Sequence, residues 1–232
     1  MKIWKIDISW AHIRKSLIIR IIGTMFMLAY IYMGLTALNV WAHVEWNKHL
    51  DISHLSVVID EAVAQNDLED IATWLRYRPL SDTDDIIAIV TPKSGLVGAD
   101  VFLDVMRREI NRGHIEEAVF WLHLAQFRLR YDILRCGGGN SAKDISELLS
   151  YMTPEKVEAL IREKPELGNT SIKRVLDFDT QYPAANAPDH ICHVLNKLTR
   201  INYVPTPRED WDNIRKNLRA AAEDHLAQET KK

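Results

Sequence analysis

Glycine and proline are sparse in this 232-residue chain, at 9 and 8 residues, and no low-complexity tract interrupts it. Long flexible linkers and Pro-rich or collagen-like repeats are thereby excluded, and disorder is expected only over residues 228–232. An excess of basic charge is also missing, since the formal net charge is −3. Binding to nucleic acid needs a basic stripe that displaces counterions from phosphates, so no nucleic-acid partner is expected. Catalytic signatures are absent too. No Gly-x-Ser-x-Gly occurs, and the run from Gly137 to Lys143 lacks the full spacing of a phosphate loop and follows a helix, not a strand. Glu116 and Glu117 are adjacent on a helix, so they point about 100° apart and form no facing carboxylate pair. The sequence points to no enzyme and no cofactor.

What the chain does have is a run, Ile21 to Val44, without Lys, Arg, Asp or Glu. A hydrocarbon core of about 30 Å needs about 20 apolar residues, and residues 21–40 supply them. Thr24, Thr36 and Asn39 are too few to make the polar face of a soluble helix. Trp41 and Trp46 fall where interfacial aromatics belong. Lys2, Lys5, Arg14, Lys15 and Arg20 precede the run against one acid, Asp7, while Lys48 is outnumbered after it by Glu45, Asp51, Asp60 and Glu61. The positive-inside rule places the N-terminus in the cytoplasm and the large domain outside, in the periplasm if the source is bacterial. Val40-Trp41-Ala42 would suit a signal peptidase. The apolar run is too long for a cleaved leader, however, which favours an uncleaved anchor. The expected plan is a basic cytoplasmic N-terminus (1–20), a transmembrane signal anchor (21–44), a neck (45–52), an extracytoplasmic helical domain (53–227) and a disordered tail (228–232).

Beyond the anchor, apolar residues recur at helical spacing. Leu55, Val58, Ile59, Ala62 and Val63 predict a helix from Ser53 to Gln65 with Ser53 as its cap. Asp67 caps a second, with Leu68, Ile71, Trp74 and Leu75 on one face, ended by Pro79. Residues 81–90 read as a short helix and 91–98 as a loop. Asp100 caps the next helix, which Gly113 stops. His114 to Arg135 then runs without Gly or Pro and is expected to be the central helix. Shorter helices are expected over 141–151, from Thr153-Pro154-Glu155 with Thr153 as cap, from Asn169 or Thr170 to Phe178, and over 189–199. Thr206-Pro207-Arg208-Glu209 reads as a capping box that opens a last helix through about Ala227, with Trp211, Ile214 and Leu218 inward. The fold class is all-α: one N-terminal transmembrane helix and a domain of stacked helical hairpins.

Two segments align at an offset of about 47 residues, Asp67 to Leu75 on His114 to Leu122, with Leu55, Val58, Ile59 and Val63 on Phe102, Val105, Met106 and Ile110. Each reads as helix, tight turn, helix. The stretch from Arg112-Gly113-His114 through Trp121 and Ala125 resembles the second half of a tetratricopeptide-type repeat. That family makes α-solenoids that bind peptides and partner proteins, so the resemblance implies a binding role. Phe120-Trp121 through Gln126, Arg128, Arg130 and Tyr131 also resembles a helix of uncharacterised exported bacterial proteins, which brings no activity with it.

Few residues suggest chemistry. Cys136 and Cys192 are the only cysteines, and in an oxidising compartment an even count reads as a disulfide. It would close a loop worth roughly 4 kcal/mol in the chain-entropy model. Asp189-His190-Ile191-Cys192-His193 gathers possible metal ligands, with His190 and His193 as weak zinc candidates, but no second ligand pair lies at motif spacing. Arg76, Arg78, Arg128, Arg130 and Arg135 are candidates for a basic partner-binding patch, suited to carboxylates or phosphates. The expected role is protein–protein interaction: an accessory or scaffold protein of a bacterial envelope system, held in the inner membrane by one helix. One alternative is an immunity protein that blocks a periplasm-acting toxin; another is an enzyme with a dispersed site.

Overall fold

A computed structural model describes residues 24–38, 51–65, 69–137, 153–199 and 202–229, and every regular element among them is helical. The chain divides into two compact units, Met1–His49 and Leu50–Lys232. In the first, residues 24–38 are helical (α1) and exposed on all sides, Met25, Phe26, Tyr30 and Leu35 included. At about 1.5 Å per residue this described part measures about 22 Å. Among the described residues no helix is long and apolar enough to cross a membrane. The expected anchor extends on both sides into residues 21–23 and 39–44, which lie outside the described residues, as do residues 1–20 and most of the neck.

The second unit is a helical domain: α2 (Ile52–Gln65), α3 (Glu69–Arg76), α4 (Thr83–Val90), α5 (Ala99–Arg112), α6 (Ile115–Arg135), α7 (Glu155–Glu163), α8 (Pro165–Gln181), α9 (Asp189–Thr199) and α10 (Trp211–Glu229). Short 3-10 turns at Leu80–Asp82, Thr91–Lys93 and Arg208–Asp210 link them. The central place expected for the longest helix is the one α6 takes. It packs against α5, α7, α8, α9 and α10. Val119, Leu122, Ala125, Leu129 and Ile133 are buried along it, and so are Phe120, Trp121, Leu124 and Phe127. A helix buried on so much of its circumference can only sit in the middle of a domain.

The α5–α6 corner follows from local chemistry. Gly113 has φ +82°, and its N–H donates to the Ile110 carbonyl at 3.1 Å while the His114 N–H donates to Glu109 at 2.9 Å. This pair of bonds closes a helix over a left-handed residue, which favours glycine. The two hairpins of the proposed repeat are unequal: α3 has 8 residues where α6 has 21.

Several helix starts differ from expectation. The Asp51 carboxylate, not Ser53, accepts a bond at the start of α2, from the Ser53 N–H at 3.3 Å. Gly98 precedes α5, so Asp100 lies inside its first turn instead of capping it. Pro154 is the cap of α7, its extended ψ ending the preceding chain. Pro165 opens α8 four residues before the expected start, because its fixed φ suits a first helical position. No capping box forms at Thr206, whose buried Oγ1 has no hydrogen-bond partner among the described residues. A 3-10 turn delays α10 to Trp211, and α10 then continues through Gln228 and Glu229, which were expected to be disordered. The cap expected at Asp67 and the helix expected over 141–151 lie outside the described residues.

Candidate binding groove

The α5–α6 corner faces α4 on one side and α8 on the other. Between them opens a groove of about 530 Å³. Its floor is aromatic. Phe120 and Trp121 are nearly buried and meet edge to face at 5.1 Å, and Phe178 from α8 meets them at 5.7 and 6.3 Å. Phe102 stacks behind Trp121 at 6.0 Å. Ile87 of α4 completes the apolar lining.

The rim is charged, and most of its charges are paired. Arg112 donates to both Asp84 oxygens at 2.7 and 3.0 Å and to Glu109 at 3.0 Å. The other Glu109 oxygen lies 2.8 Å from His114 Nδ1. Arg174 of α8 grips Glu117 of α6 with two bonds, at 3.0 and 2.9 Å, and its guanidinium sits 4.3 Å from the centre of the Phe120 ring. Forked arginine–carboxylate pairs of this kind fix geometry as well as charge. The Arg112 hydrogen bond holds the Asp84 carboxyl below its ordinary range, and Arg174 does the same for Glu117. Asp177 also lines the groove, exposed and without an ion-pair partner among the described residues. Four carboxylates thus face two guanidiniums, Arg112 and Arg174.

Comparison with protein-family models, curated proteins and solved structures found no match to this chain.

The arginines expected to form one patch do not come together. Arg128 and Arg135 are buried. Arg128 donates to the Tyr182 carbonyl and faces Asp179 at 3.6 Å. Arg135 bonds Asp132 and, at 2.6 Å, the Asn186 carbonyl, and it lies between the rings of Tyr131 and Trp211 at 4.4 and 4.5 Å. Arg78 is largely covered and pairs with Asp82 at 2.6 Å. Only Arg76 and Arg130 are exposed, on α3 and α6. The cause is simple: α6 is buried over most of its surface, so Arg128 and Arg135 turn inward and find internal partners, while Arg130 stays exposed.

Cys136 and Cys192 form a disulfide, with Cα atoms 5.3 Å apart. His190 and His193 are both exposed on α9, and the sulfur between them in sequence is bonded to Cys136. Among the described residues no three His, Cys, Asp or Glu side chains gather as a metal site would require. His190 instead borders a small apolar pocket of about 210 Å³ that also touches Asp100 and Asp132. Burial raises the carboxyl pKa of both acids, in Asp132 against the opposing pull of Arg135.

The groove's own residues were not foreseen. They come from α4, α5, α6 and α8, separated by up to about a hundred positions. The one local hint is Arg112-Gly113-His114 at a helix corner, flanked by Glu109 and Glu117.

Proposed function

We propose that this chain is a membrane-anchored interaction protein of a bacterial envelope system, whose extracytoplasmic helical domain receives a partner protein in the groove at the α5–α6 corner. The observation that carries the reading is the groove itself, an aromatic floor framed by fixed charges. Such concavities supply contact area through the rings and orientation through the rim. Its chemistry favours binding over catalysis. The Asp84 and Glu117 carboxyls are held ionised by arginine, which makes them poor proton donors. Among the described residues the lining has no Ser, Cys or Lys, and the one hydroxyl there, of Thr91, donates to the Ile87 carbonyl at 2.7 Å. The surplus of carboxylates suits a partner segment that presents a basic side chain among apolar ones.

Two features support the address. The charge-free run of residues 21–44 has a basic flank before it and an acidic one after it, and its described helical part exposes apolar side chains all round, as lipid contact requires. The Cys136–Cys192 disulfide suits an oxidising compartment. A phosphatase that is active only outside the cytoplasm, fused after Lys232, tests the orientation; an inactive fusion beside an active cytoplasmic reporter sinks it. For the binding role, a photo-crosslinking residue replaces Gln181 at the groove in the full chain in native membranes. A discrete protein adduct is expected there and not from a probe at exposed Arg162. Equal labelling from both positions, or none from Gln181, rejects the groove as the interface.

A further inference from the structure

A separate cavity of about 380 Å³ opens between α6, α8 and α10. Its walls include Phe127, Val175 and Leu218, and its polar groups include His123, Arg130 and His225. Its charge pattern is unlike that of the groove. Among the described residues no Asp or Glu lines it, and Arg130 carries the only permanent positive charge.

Arg130 has no ion pair or hydrogen-bond partner among the described residues. Partial burial lowers its pKa, and among the described residues no carboxylate opposes that shift. Arg128, two residues earlier, is also lowered by burial, but it has Asp179 and Asp132 opposite. Arg130 is exposed on α6, and a guanidinium left without a counter-ion beside an apolar cleft is an unfilled half of an ion pair. His123 adds no second charge. Burial, with a smaller push from Arg130, takes its pKa down to about 4, and its Nδ1 lies 2.9 Å from the Ser171 hydroxyl.

We propose that this cleft binds a small amphiphilic monocarboxylate, with the carboxylate on Arg130 and the apolar part against Phe127, Val175 and Leu218. A single planar guanidinium matches a singly charged, planar carboxylate, whereas a doubly charged phosphate would ask for a second permanent cation. The volume lies in the range of roughly 300–1,000 Å³ usual for small-ligand sites. This site shares no lining residue with the groove and stands whether or not the groove takes a protein.

The test uses the full chain in lipid nanodiscs, with empty nanodiscs subtracted. The probe is 4-phenylbutyrate, titrated calorimetrically beside 4-phenylbutanol and 4-phenylbutylamine, which keep the ring and chain and change the head group. The carboxylate is expected to bind saturably, and the alcohol and the amine at least about tenfold more weakly. Arg130→Gln is expected to weaken the carboxylate by a similar factor while keeping the wild-type unfolding midpoint, since Arg130 holds no internal partner. Ala222→Trp, which fills the cleft from α10, is expected to abolish binding. Equal affinity for acid and alcohol, an R130Q variant that binds as wild type, or no saturable binding of the acid would each overturn the proposal.

Discussion

Asp179 is almost fully buried and faces three arginines. Arg215 and Arg219 donate to its Oδ2 at 2.8 and 3.0 Å, and Arg128 lies 3.6 Å from Oδ1. Arg215 also caps the Asp179 carbonyl at 2.6 Å and Arg219 the Leu176 carbonyl at 2.8 Å. One carboxylate therefore ties α6, α8 and α10 together. Asp179→Asn keeps the shape and removes the charge, which leaves three guanidiniums in mutual repulsion. A loss of about 3–5 kcal/mol is expected, the range for breaking a buried pair on one side, read from urea unfolding. Arg219→Gln should cost much less, because Arg219 reaches solvent. His123 makes a second prediction at this scale. Its pKa falls from 6.5 to about 4 in the folded state, so the neutral form is favoured there. Its contribution to stability is complete above pH 6.5 and is lost as pH falls through about 4. At about 1.4 kcal/mol per unit, this amounts to about 3 kcal/mol between those limits. His123→Asn should therefore lose less stability than wild type between pH 7 and pH 4. The raised carboxyls of Asp100 and Asp132 run the other way, favouring the fold as pH falls, but they do so in both proteins, so the difference isolates His123.

Among the elements, two glycines hold corners for different reasons. Gly113 sits at φ +82° with open space around its missing Cβ, so Gly113→Ala meets backbone strain alone, about 1–2 kcal/mol. Gly95 has no such dihedral. A Cβ there would lie 2.4 Å from the Pro183 carbonyl oxygen, and the Gly95 carbonyl accepts the Ala185 N–H at 2.7 Å. Gly95→Ala must push the chain after α8 off this contact, so it should lower the thermal midpoint more than Gly113→Ala does. Equal midpoints would mean that the Gly95 contact gives way freely. The first glycine was legible in the sequence, because a helix stop is a local signal. The second was not, because its partner lies about ninety residues on. The same distinction separates most of what was readable here from what was not. Periodicity placed the helices, and the lack of Gly and Pro singled out α6, since both are properties of a few adjacent residues. Caps slipped wherever a proline competed with a hydroxyl, as at Pro154 and Pro165. Arg128 and Arg135 look no different from surface arginines in the sequence, because burial depends on what α8, α9 and α10 bring, and no local pattern announces it. The groove joins four elements and was invisible for the same reason.

The whole domain closes at the C-terminal end of α6. There the Arg135 carbonyl accepts the Thr206 N–H at 2.6 Å, the Arg135 side chain holds the Asn186 carbonyl, and the Tyr131 hydroxyl donates to the Trp211 carbonyl at 3.0 Å. The Cys136–Cys192 bond lies in the same place and ties α6 to α9 across a sequence separation of 56. The noncovalent contacts hold this end of α6 to the chain before α9 and to the start of α10, the covalent bond holds it to α9 itself, and their effects can be separated. In the chain-entropy model a loop of this length stabilises by about 4 kcal/mol through the unfolded chain, leaving the folded contacts untouched. For a domain of this size each kcal/mol moves the thermal midpoint by about 2–4 °C, so the Cys136→Ser, Cys192→Ser double variant should melt about 8–16 °C lower. Dithiothreitol should lower the wild-type midpoint by a similar amount and leave the double variant unchanged. Its native circular dichroism below the transition should match that of wild type, because Arg135, Tyr131 and Thr206 still hold the end of α6. A double variant that lost helicity at low temperature would show instead that the bond is needed to assemble this end of the domain. A wild-type midpoint indifferent to reductant would remove the bond from the stability of the fold and weaken the case for an oxidising compartment.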